Sequence, residues 1–300
     1  MTAYPAPVRR HYELTDGTIS AVHFGRTENP LKVVLLHGNG FNAMVHRRVL
    51  EELGVHACAL DIRGHGFTRL PTDIESLGNF HLFSADLTEF FERHIDAPVV
   101  LAGHSLGAVT SILAAPKLKS KLLGFAGFDP VSLPWYGRAL MGFKGSRKYF
   151  KKHFNMARNA GRRKSVFTSP EEAFERYRPR RGFNGVSDQI LRDYLEGGLE
   201  LREDGAYHLC CAPLWEQAVY VAQGHNMYKR AHALPDNSHI LYAGKLGPVS
   251  TKNTRRAMQK AQPNMRVDYD PTLEHLFSMQ KPEIAVAMLK GVLSRASLGG

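Results

Sequence analysis

The residue with the clearest chemical potential is a serine in the pentapeptide Gly103-His104-Ser105-Leu106-Gly107. An apolar run precedes it and a helical pattern follows it, so the serine lies at a tight strand-to-helix turn. Such a turn strains its central residue, and glycines two positions before and after it remove side chains that would clash. The pattern predicts that Ser105 presents its hydroxyl as a nucleophile. The alternative is a serine in an ordinary glycine-rich turn.

A nucleophilic hydroxyl needs a base and a place for the negative charge that its attack creates. His275, in the stretch LEHLF, follows the last predicted strand, and its imidazole suits proton transfer near neutral pH. The stretch HGNG, which begins at His37, follows an earlier strand. We predict that the backbone N–H groups of Asn39 and Leu106 form an oxyanion hole, because a loop end and a helix N-terminus both offer free donors.

The order of these motifs resembles the α/β-hydrolase superfamily. HGNG is followed by DIRGHG at 61–66, then by GHSLG and finally by a late His-Leu-Phe. The resemblance covers roughly residues 30–130 and 237–297. It implies an α/β-hydrolase fold, with a mostly parallel sheet flanked by helices and an inserted helical cap. In that superfamily the DxRGxG stretch is a structural turn, so Asp61 and Arg63 are expected to be architectural.

The acid of the implied triad is where the chain departs from this pattern. In the superfamily the acid usually follows the strand after the cap, where this chain has Gly247. Asp129, in the tripeptide FDP at the end of the strand after the nucleophile helix, is our predicted replacement, because some members place their acid there. From that strand end a carboxylate can reach Nδ1 of His275. Asp270, in the tripeptide YDP, is the alternative, although both aspartates also fit a simple turn before proline.

Together these residues predict hydrolysis of a carboxylic ester or related acyl bond through an acyl-serine intermediate. Epoxide hydrolases and haloalkane dehalogenases use an acidic nucleophile at the position that Ser105 occupies, which argues against both reactions. Carbon–carbon bond hydrolysis, thioester hydrolysis and a lyase reaction remain alternatives on the same residues. Two alternatives lie outside enzymes. The missing acid at Gly247 would fit a non-catalytic binding protein, and the basic cap would fit an interaction protein that docks a partner.

Short apolar runs alternate with helical patterns, which predicts a doubly wound parallel sheet. The predicted strands are 32–38, 56–64, 98–105, 122–129, 239–245 and 265–270, preceded by a hairpin that turns at Asp16-Gly17. The predicted helices are 43–53, 80–95, 106–118, 251–261 and 282–296.

Residues 131–236 interrupt this rhythm and predict several helices joined by loops, most simply a cap over the strand ends. The core would then comprise residues 1–130 and 237–300. We also place four residues at the substrate pocket, namely Gly40, His104, Met44 and Trp215. For Trp215, whose neighbours recur at helical spacing, a position in the core is the simpler alternative.

The whole net charge of +11 comes from one segment of the chain. Residues 135–181 contain 14 Lys/Arg and 3 Asp/Glu, whereas the rest of the chain has 25 of each. This segment indicates a solvated helical face, a field that attracts an anionic acyl substrate, or contact with an anionic membrane surface. Nucleic acid is the least favoured partner. Aromatic residues interleaved in the segment, such as Tyr149, Phe167 and Tyr177, are expected to pack the cap helices beneath a charged exterior.

The remaining composition limits the class of protein. Cys58, Cys210 and Cys211 have neither disulfide nor zinc spacing, which predicts reduced thiols and a cytoplasmic location. The N-terminus does not resemble a signal peptide, and no stretch approaches the roughly 20 apolar residues of a membrane span. No metal or organic cofactor is expected, since zinc-spaced ligands and a GxGxxG after the first strands are both missing. The predicted partner is a small acyl substrate, and the sequence carries no signal for the oligomeric state.

Overall fold

A computed structural model describes residues 4–131, 133–245 and 250–298 of the chain. Two sheets occur within this part. The strands of the main sheet are β1 (Val8–Leu14), β2 (Gly17–Phe24), β3 (Val33–Leu36), β4 (Ala57–Leu60), β5 (Val99–His104), β6 (Leu122–Phe128), β10 (His239–Ala243) and β11 (Arg266–Asp270). The small sheet consists of β7 (Val166–Phe167), β8 (Leu199–Leu201) and β9 (Tyr207–Leu209).

The main sheet has the strand order β1-β2-β4-β3-β5-β6-β10-β11. The β1–β2 hairpin and the β2–β4 pair are antiparallel, and every other pair is parallel. All residues of the central strands β3, β4 and β5 are buried, as expected for parallel strands covered on both faces. The fold class predicted from the sequence, a mostly parallel sheet flanked by helices, is confirmed.

The helices follow the predicted alternation. They are α1 (Arg47–Glu51), α2 (His81–His94), α3 (Leu106–Leu118), α4 (Trp135–Gly142), α5 (Lys144–His153), α6 (Asn155–Gly161), α7 (Pro170–Tyr177), α8 (Asp188–Gly198), α9 (Pro213–Val221), α10 (Tyr228–Ala231), α11 (Lys252–Ala261), α12 (Phe277–Gln280) and α13 (Pro282–Leu298). Short 3-10 turns lie at Ala43–His46, Lys119–Lys121 and Arg181–Phe183.

Side-chain alternation along the strands divides the core into two layers. In β3, Val34 and Leu36 belong to the layer that contains residues of α2 and α3, whereas Val33 and Leu35 belong to the layer of α1 and α13. This is the period-two pattern of a strand whose two faces are both buried. The result is a helix–sheet–helix sandwich, and the loops that carry the predicted site residues follow the ends of its strands.

Helices α4 to α10 and the small sheet lie between β6 and β10, where the sequence predicted an inserted helical region. A separate apolar cluster holds part of this region together, and it includes Phe167, Phe174 and Tyr177. The prediction that the aromatic residues are buried is correct for these three but wrong for Tyr149, which is 60% exposed. The small sheet was not predicted, because strands of two or three residues are too short to show a period of two.

Three further sequence predictions can be compared with the structure. The hairpin closes between Leu14 and Gly17, one residue earlier than predicted. The predicted helix at 43–53 is a 3-10 turn followed by the short α1. The three cysteine thiols are free, as expected. Within the described residues, no helix is long and apolar enough to cross a membrane.

Candidate active site

Ser105 lies between the end of β5 and the start of α3, with φ 50° and ψ −110°. A Cβ atom at Gly103 would lie 2.5 Å from the backbone N of Ala108, so only glycine fits this close approach. Ser105 and Asp129 are the only non-glycine residues with positive φ in the described part of the chain. Strained backbone of this kind is concentrated at functional sites. The side chains of Ser105 and Asp129 are both within hydrogen-bonding distance of His275.

The three predicted triad residues are in hydrogen-bonding contact. His275, in the loop between β11 and α12, has its Nε2 atom 3.0 Å from Ser105 Oγ and its Nδ1 atom 2.6 Å from Asp129 Oδ2. A carboxylate only accepts, so Nδ1 carries the proton and Nε2 is free to accept from the serine hydroxyl. The His275 side chain is 28% exposed, whereas that of Asp129 is 1% exposed. The imidazole therefore faces the solvent side and the carboxylate lies behind it.

The two candidate acids differ in what their carboxylates contact. Asp129 Oδ1 accepts a hydrogen bond from the backbone N–H of Ala243 at 3.1 Å, which leaves Oδ2 for His275. Asp270 instead accepts from the backbone N–H and the hydroxyl of Thr272, and these bonds lower its pKa. The structure thus brings Asp129 to the imidazole and uses Asp270 to shape a turn. Gly247, where the superfamily's usual acid would stand, lies outside the described residues.

The two predicted oxyanion donors lie on segments that are joined to each other. The N–H of Gly107 donates to the carbonyl of His37 at 3.1 Å, which ties the start of α3 to the HGNG loop. The N–H of Leu106, in the first turn of α3, and that of Asn39 have no hydrogen-bond acceptor among the described residues. Free donors at a helix N-terminus and in a loop are what an oxyanion hole requires.

Two buried imidazoles fix the HGNG loop. His37 Nε2 accepts from the N–H of Ile62 at 3.0 Å, so its Nδ1–H donates to the carbonyl of Gly38 at 2.7 Å. His65 Nε2 accepts from the N–H of Gly40 at 3.0 Å. Burial lowers the pKa of both imidazoles to about 3, which keeps them neutral and preserves their acceptor atoms near neutral pH.

His104 connects the nucleophile turn to the loop of the base. Its Nε2 atom lies 2.9 Å from the backbone carbonyl of His275, so Nε2–H donates and Nδ1 is left as an acceptor. Burial, and then the neighbouring imidazoles, lower the pKa of His104, which is 1% exposed. In the part of the chain that is described, Nδ1 has no hydrogen-bond partner. His104, predicted for the substrate pocket, is thus a buried side chain in contact with the backbone of His275.

The other predicted pocket residues lie in different surroundings. Gly40 has a φ of 77°, and the Glu216 carboxylate packs against it, 2.5 Å from where a Cβ atom would be. Met44 is buried on the 3-10 turn that follows the HGNG loop. Trp215 is 1% exposed, and its Nε1–H donates to the carbonyl of Arg63 at 3.1 Å. These contacts make Trp215 part of the core. A role in lining the pocket stays a prediction for Gly40, Met44 and Trp215.

Asp61 and Arg63 hold neighbouring segments in place. Asp61 accepts backbone N–H bonds from Ala43 at 2.8 Å and from Phe67 at 3.0 Å. Arg63 makes a bidentate pair with Asp86, with N–O distances of 2.8 and 2.7 Å. This pairing raises the pKa of Arg63 and fixes the loop that follows β4. The contacts of both residues are architectural, as the resemblance implies.

One contact at the site had no sequence signal. The side-chain Nδ2 of Asn39 donates to the backbone carbonyl of Glu216 on α9 at 3.0 Å, although 177 positions separate the two residues. Arg163 Nη2 lies 3.1 Å from the Glu216 carboxylate. Burial raises the pKa of Glu216, against the lowering effect of Arg163. Helix α9 thereby contacts the residue whose N–H is a predicted oxyanion donor.

The described residues contain no group of three or more His, Cys, Asp or Glu side chains placed to hold a metal ion. The candidate site comprises a hydroxyl, an imidazole, a carboxylate and free backbone N–H groups. Chemically, such a set can move a proton from the hydroxyl to the imidazole and stabilise an oxyanion.

Comparison with solved structures reveals the same fold in proteins of low sequence identity. An E-2-(acetamidomethylene)succinate hydrolase superposes with a TM-score of 0.74 and 18% identity, covering 96% of this chain and 100% of that one. The thioesterase domain from the curacin biosynthetic pathway gives 0.71 and 14% identity, covering 95% and 99%. An esterase of M. tuberculosis gives 0.71 and 18% identity, covering 97% and 93%.

A model of the alpha/beta hydrolase family matches residues 33–263, which is more than half of the chain. The match includes the HGNG loop, the nucleophile turn and Asp129. The mostly parallel eight-stranded sheet flanked by helices agrees with this family. The chain belongs to the alpha/beta hydrolase family.

Proposed function

We propose that the protein is a serine hydrolase that cleaves a carboxylic ester or a related acyl bond through an acyl-serine intermediate. The observation that carries this proposal is the chain of contacts from Ser105 Oγ to His275 Nε2 and from His275 Nδ1 to Asp129 Oδ2. The geometry supports the proposal because a carboxylate at Nδ1 favours the imidazole tautomer in which Nε2 can accept the hydroxyl proton.

Acylation begins when a carbonyl carbon approaches Ser105. The hydroxyl proton moves to His275 Nε2 as Oγ forms a bond to that carbon, and the former carbonyl oxygen becomes an oxyanion. The N–H groups of Asn39 and Leu106 donate to this oxyanion, and Asp129 stabilises the imidazolium. The tetrahedral intermediate then expels the alcohol or thiol, which leaves with the proton from Nε2.

Deacylation repeats these steps with water. Water gives a proton to Nε2 of His275 and attacks the acyl carbon, and the second tetrahedral intermediate expels Ser105 Oγ, which recovers the proton. A carboxylic acid is released and the free enzyme is restored. The solved relatives named as an esterase and a thioesterase domain support this class of reaction, because both leaving groups fit the same proton path.

We further propose that residues 131–236 act as a cap over this site. The hydrogen bond from Asn39 to the backbone of Glu216 supports the proposal, because a helix of this region, α9, thereby contacts the HGNG loop. The cap would then determine the choice of acyl group, while the sheet supplies the reactive groups.

A fluorophosphonate probe tests the proposed nucleophile directly. We expect the folded protein to be labelled on Ser105 in about a 1:1 ratio and the heat-denatured protein to remain unlabelled. Peptide mass mapping identifies the modified residue, and a panel of short and long acyl esters and thioesters then ranks leaving groups. A folded protein that resists the probe and hydrolyses none of the panel would be the non-catalytic binding protein instead.

His104 is expected to position the base without touching substrate. His104→Ala removes the donor to the His275 carbonyl, and displacing a reacting group by about 1 Å can cost on the order of 100-fold in rate. We therefore expect kcat to fall by roughly 10- to 100-fold with KM nearly unchanged. His104→Gln retains an N–H donor of similar reach and should recover most of the loss. Equal losses in both variants, at equal thermal stability, would mean that the hydrogen bond has no such role.

A further inference from the structure

The outer face of α4 is apolar and open to solvent. Neither α4 nor α5 contains a buried residue. The exposed positions of α4 carry Trp135, Tyr136 and Leu140, and Phe143 follows directly. Trp135 is 74% exposed and Phe143 is 70% exposed, so most of the surface of both rings faces solvent.

This exposure is concentrated in one segment. Of the thirteen large hydrophobic side chains that are exposed in the described part of the chain, six lie between Trp135 and Met156. A cluster of this kind marks an interaction site more often than scattered exposed residues do. We call the exposed side of α4 and α5, from Trp135 to His153, the α4–α5 surface.

The charge of the same segment has one sign. Residues 135–164 contain ten Lys/Arg and no Asp/Glu. Lys144, Lys148 and Lys152 are exposed on α5 at intervals of four, so they lie along one side of that helix. The α4–α5 surface therefore combines aromatic and aliphatic side chains with a row of cations.

The inner side of the two helices is anchored to the rest of the protein. Arg138 lies over the ring of Tyr228, with its guanidinium carbon 5.2 Å from the ring centre. Arg147 donates to the carbonyl of Leu77. Gln217 Nε2 donates to the carbonyl of Lys151 at 3.2 Å. These contacts hold the opposite side of each helix against the protein, so the apolar face stays outward.

We propose that the α4–α5 surface docks the protein on an anionic phospholipid membrane. Interfacial helices bury aromatic and aliphatic side chains at the boundary between headgroups and acyl chains while their Lys/Arg residues attract anionic lipid. A second copy of the chain would bring this unopposed positive charge against itself. Nucleic acid would use the cations and stack on the aromatic rings, but it would leave Leu140 without an apolar partner.

Vesicle sedimentation tests the proposal without measuring turnover, so the result does not depend on the proposed reaction. We expect the protein to bind phosphatidylcholine vesicles containing 30 mol% phosphatidylglycerol at least 10-fold more tightly than pure phosphatidylcholine. Each cation near a membrane contributes roughly fivefold to the partition coefficient. The triple variant Lys144→Gln, Lys148→Gln, Lys152→Gln should therefore lose on the order of 100-fold.

Helix α11 provides the matched control. Lys252, Arg256 and Lys260 are exposed on it at the same spacing of four. The triple variant Lys252→Gln, Arg256→Gln, Lys260→Gln has the same net charge as the α5 variant and should keep most of the binding. If both triple variants lose binding equally, net charge alone attracts the membrane and the proposed surface is wrong.

The two tryptophans separate insertion from surface attraction. Trp135 is exposed and Trp215 is 1% exposed, so a shift of emission to shorter wavelength on adding vesicles reports Trp135. Trp135→Phe should abolish the shift and retain binding. A shift that persists in Trp135→Phe would overturn the proposal. So would tighter binding to duplex DNA than to anionic vesicles at equal salt, or a dimer in solution that Phe143→Gln dissociates.

Discussion

Replacing Ser105 with alanine should lower kcat by roughly 10⁴- to 10⁶-fold while leaving the fold intact. The hydroxyl is the only protein group that forms a covalent bond to the substrate in the proposed mechanism, so its loss removes the covalent path. Alanine fits the same space because its side chain is smaller, and the Oγ atom that it lacks contacts only His275 among the described hydrogen bonds. Turnover of the best ester from the panel, at matched protein concentration, measures the effect.

The backbone strain at this position supplies a control for stability. Ser105 has a φ of 50°, and such strain costs about 1–3 kcal/mol in a residue other than glycine. Ser105→Gly relieves the strain at an entropic cost of roughly 1 kcal/mol, so its thermal midpoint should equal or exceed that of Ser105→Ala. Both variants should be inactive. A Ser105→Ala variant that is fully folded and retains more than about a tenth of the turnover would show that Ser105 is not the nucleophile.

Asp129→Asn should lower kcat by about 10⁴-fold through the tautomer of the base. The backbone N–H of Ala243 donates to Asp129 Oδ1, so the asparagine will keep its carbonyl oxygen there and turn its NH₂ group toward His275. Nδ1 must then accept, and the imidazole proton moves to Nε2. There it faces Ser105 Oγ, and the imidazole cannot take the hydroxyl proton. KM should change little, since Asp129 is 1% exposed.

Asp270→Asn is the matched comparison for this prediction. Its Oδ1 accepts from both the N–H and the hydroxyl of Thr272, and an asparagine carbonyl can accept the same two bonds. We expect kcat within about twofold of the unsubstituted protein. Full turnover in Asp129→Asn together with a large loss in Asp270→Asn would reverse the assignment of the acid. Circular dichroism and thermal unfolding of both variants establish that the difference lies in chemistry.

The proposed reaction also depends on neighbouring side chains that hold the reacting groups in position. The neutral imidazoles of His37 and His65 keep the HGNG loop against the end of β4, and His104 holds the carbonyl of His275. None of these side chains needs to change protonation state during the reaction. In the proposed mechanism they hold the predicted donors and the base in place before substrate arrives, and such preorganisation is usually the largest source of electrostatic stabilisation.

The inserted region illustrates a limit of sequence reasoning. The sequence placed basic and aromatic residues between 135 and 181 and suggested that the aromatics pack inward. The structure buries Phe167 and Tyr177 but exposes Tyr149. Helical spacing alone cannot distinguish a stripe that packs against a neighbour from a stripe that faces solvent, because both have the same period.

The sequence by itself determined the parts of this protein that depend on local backbone geometry. The flanking glycines identified the strained turn at Ser105, and runs of apolar residues located the parallel strands, because sterics and side-chain periodicity act over a few residues. Chain order within the resemblance pointed to His275, and the end of a strand pointed to Asp129. The tertiary structure alone decided the contact of His104 with the His275 carbonyl, the contact of Asn39 with α9, and which helix faces remain open. These contacts join positions more than a hundred residues apart, or depend on which surfaces pack together, and no local preference encodes either.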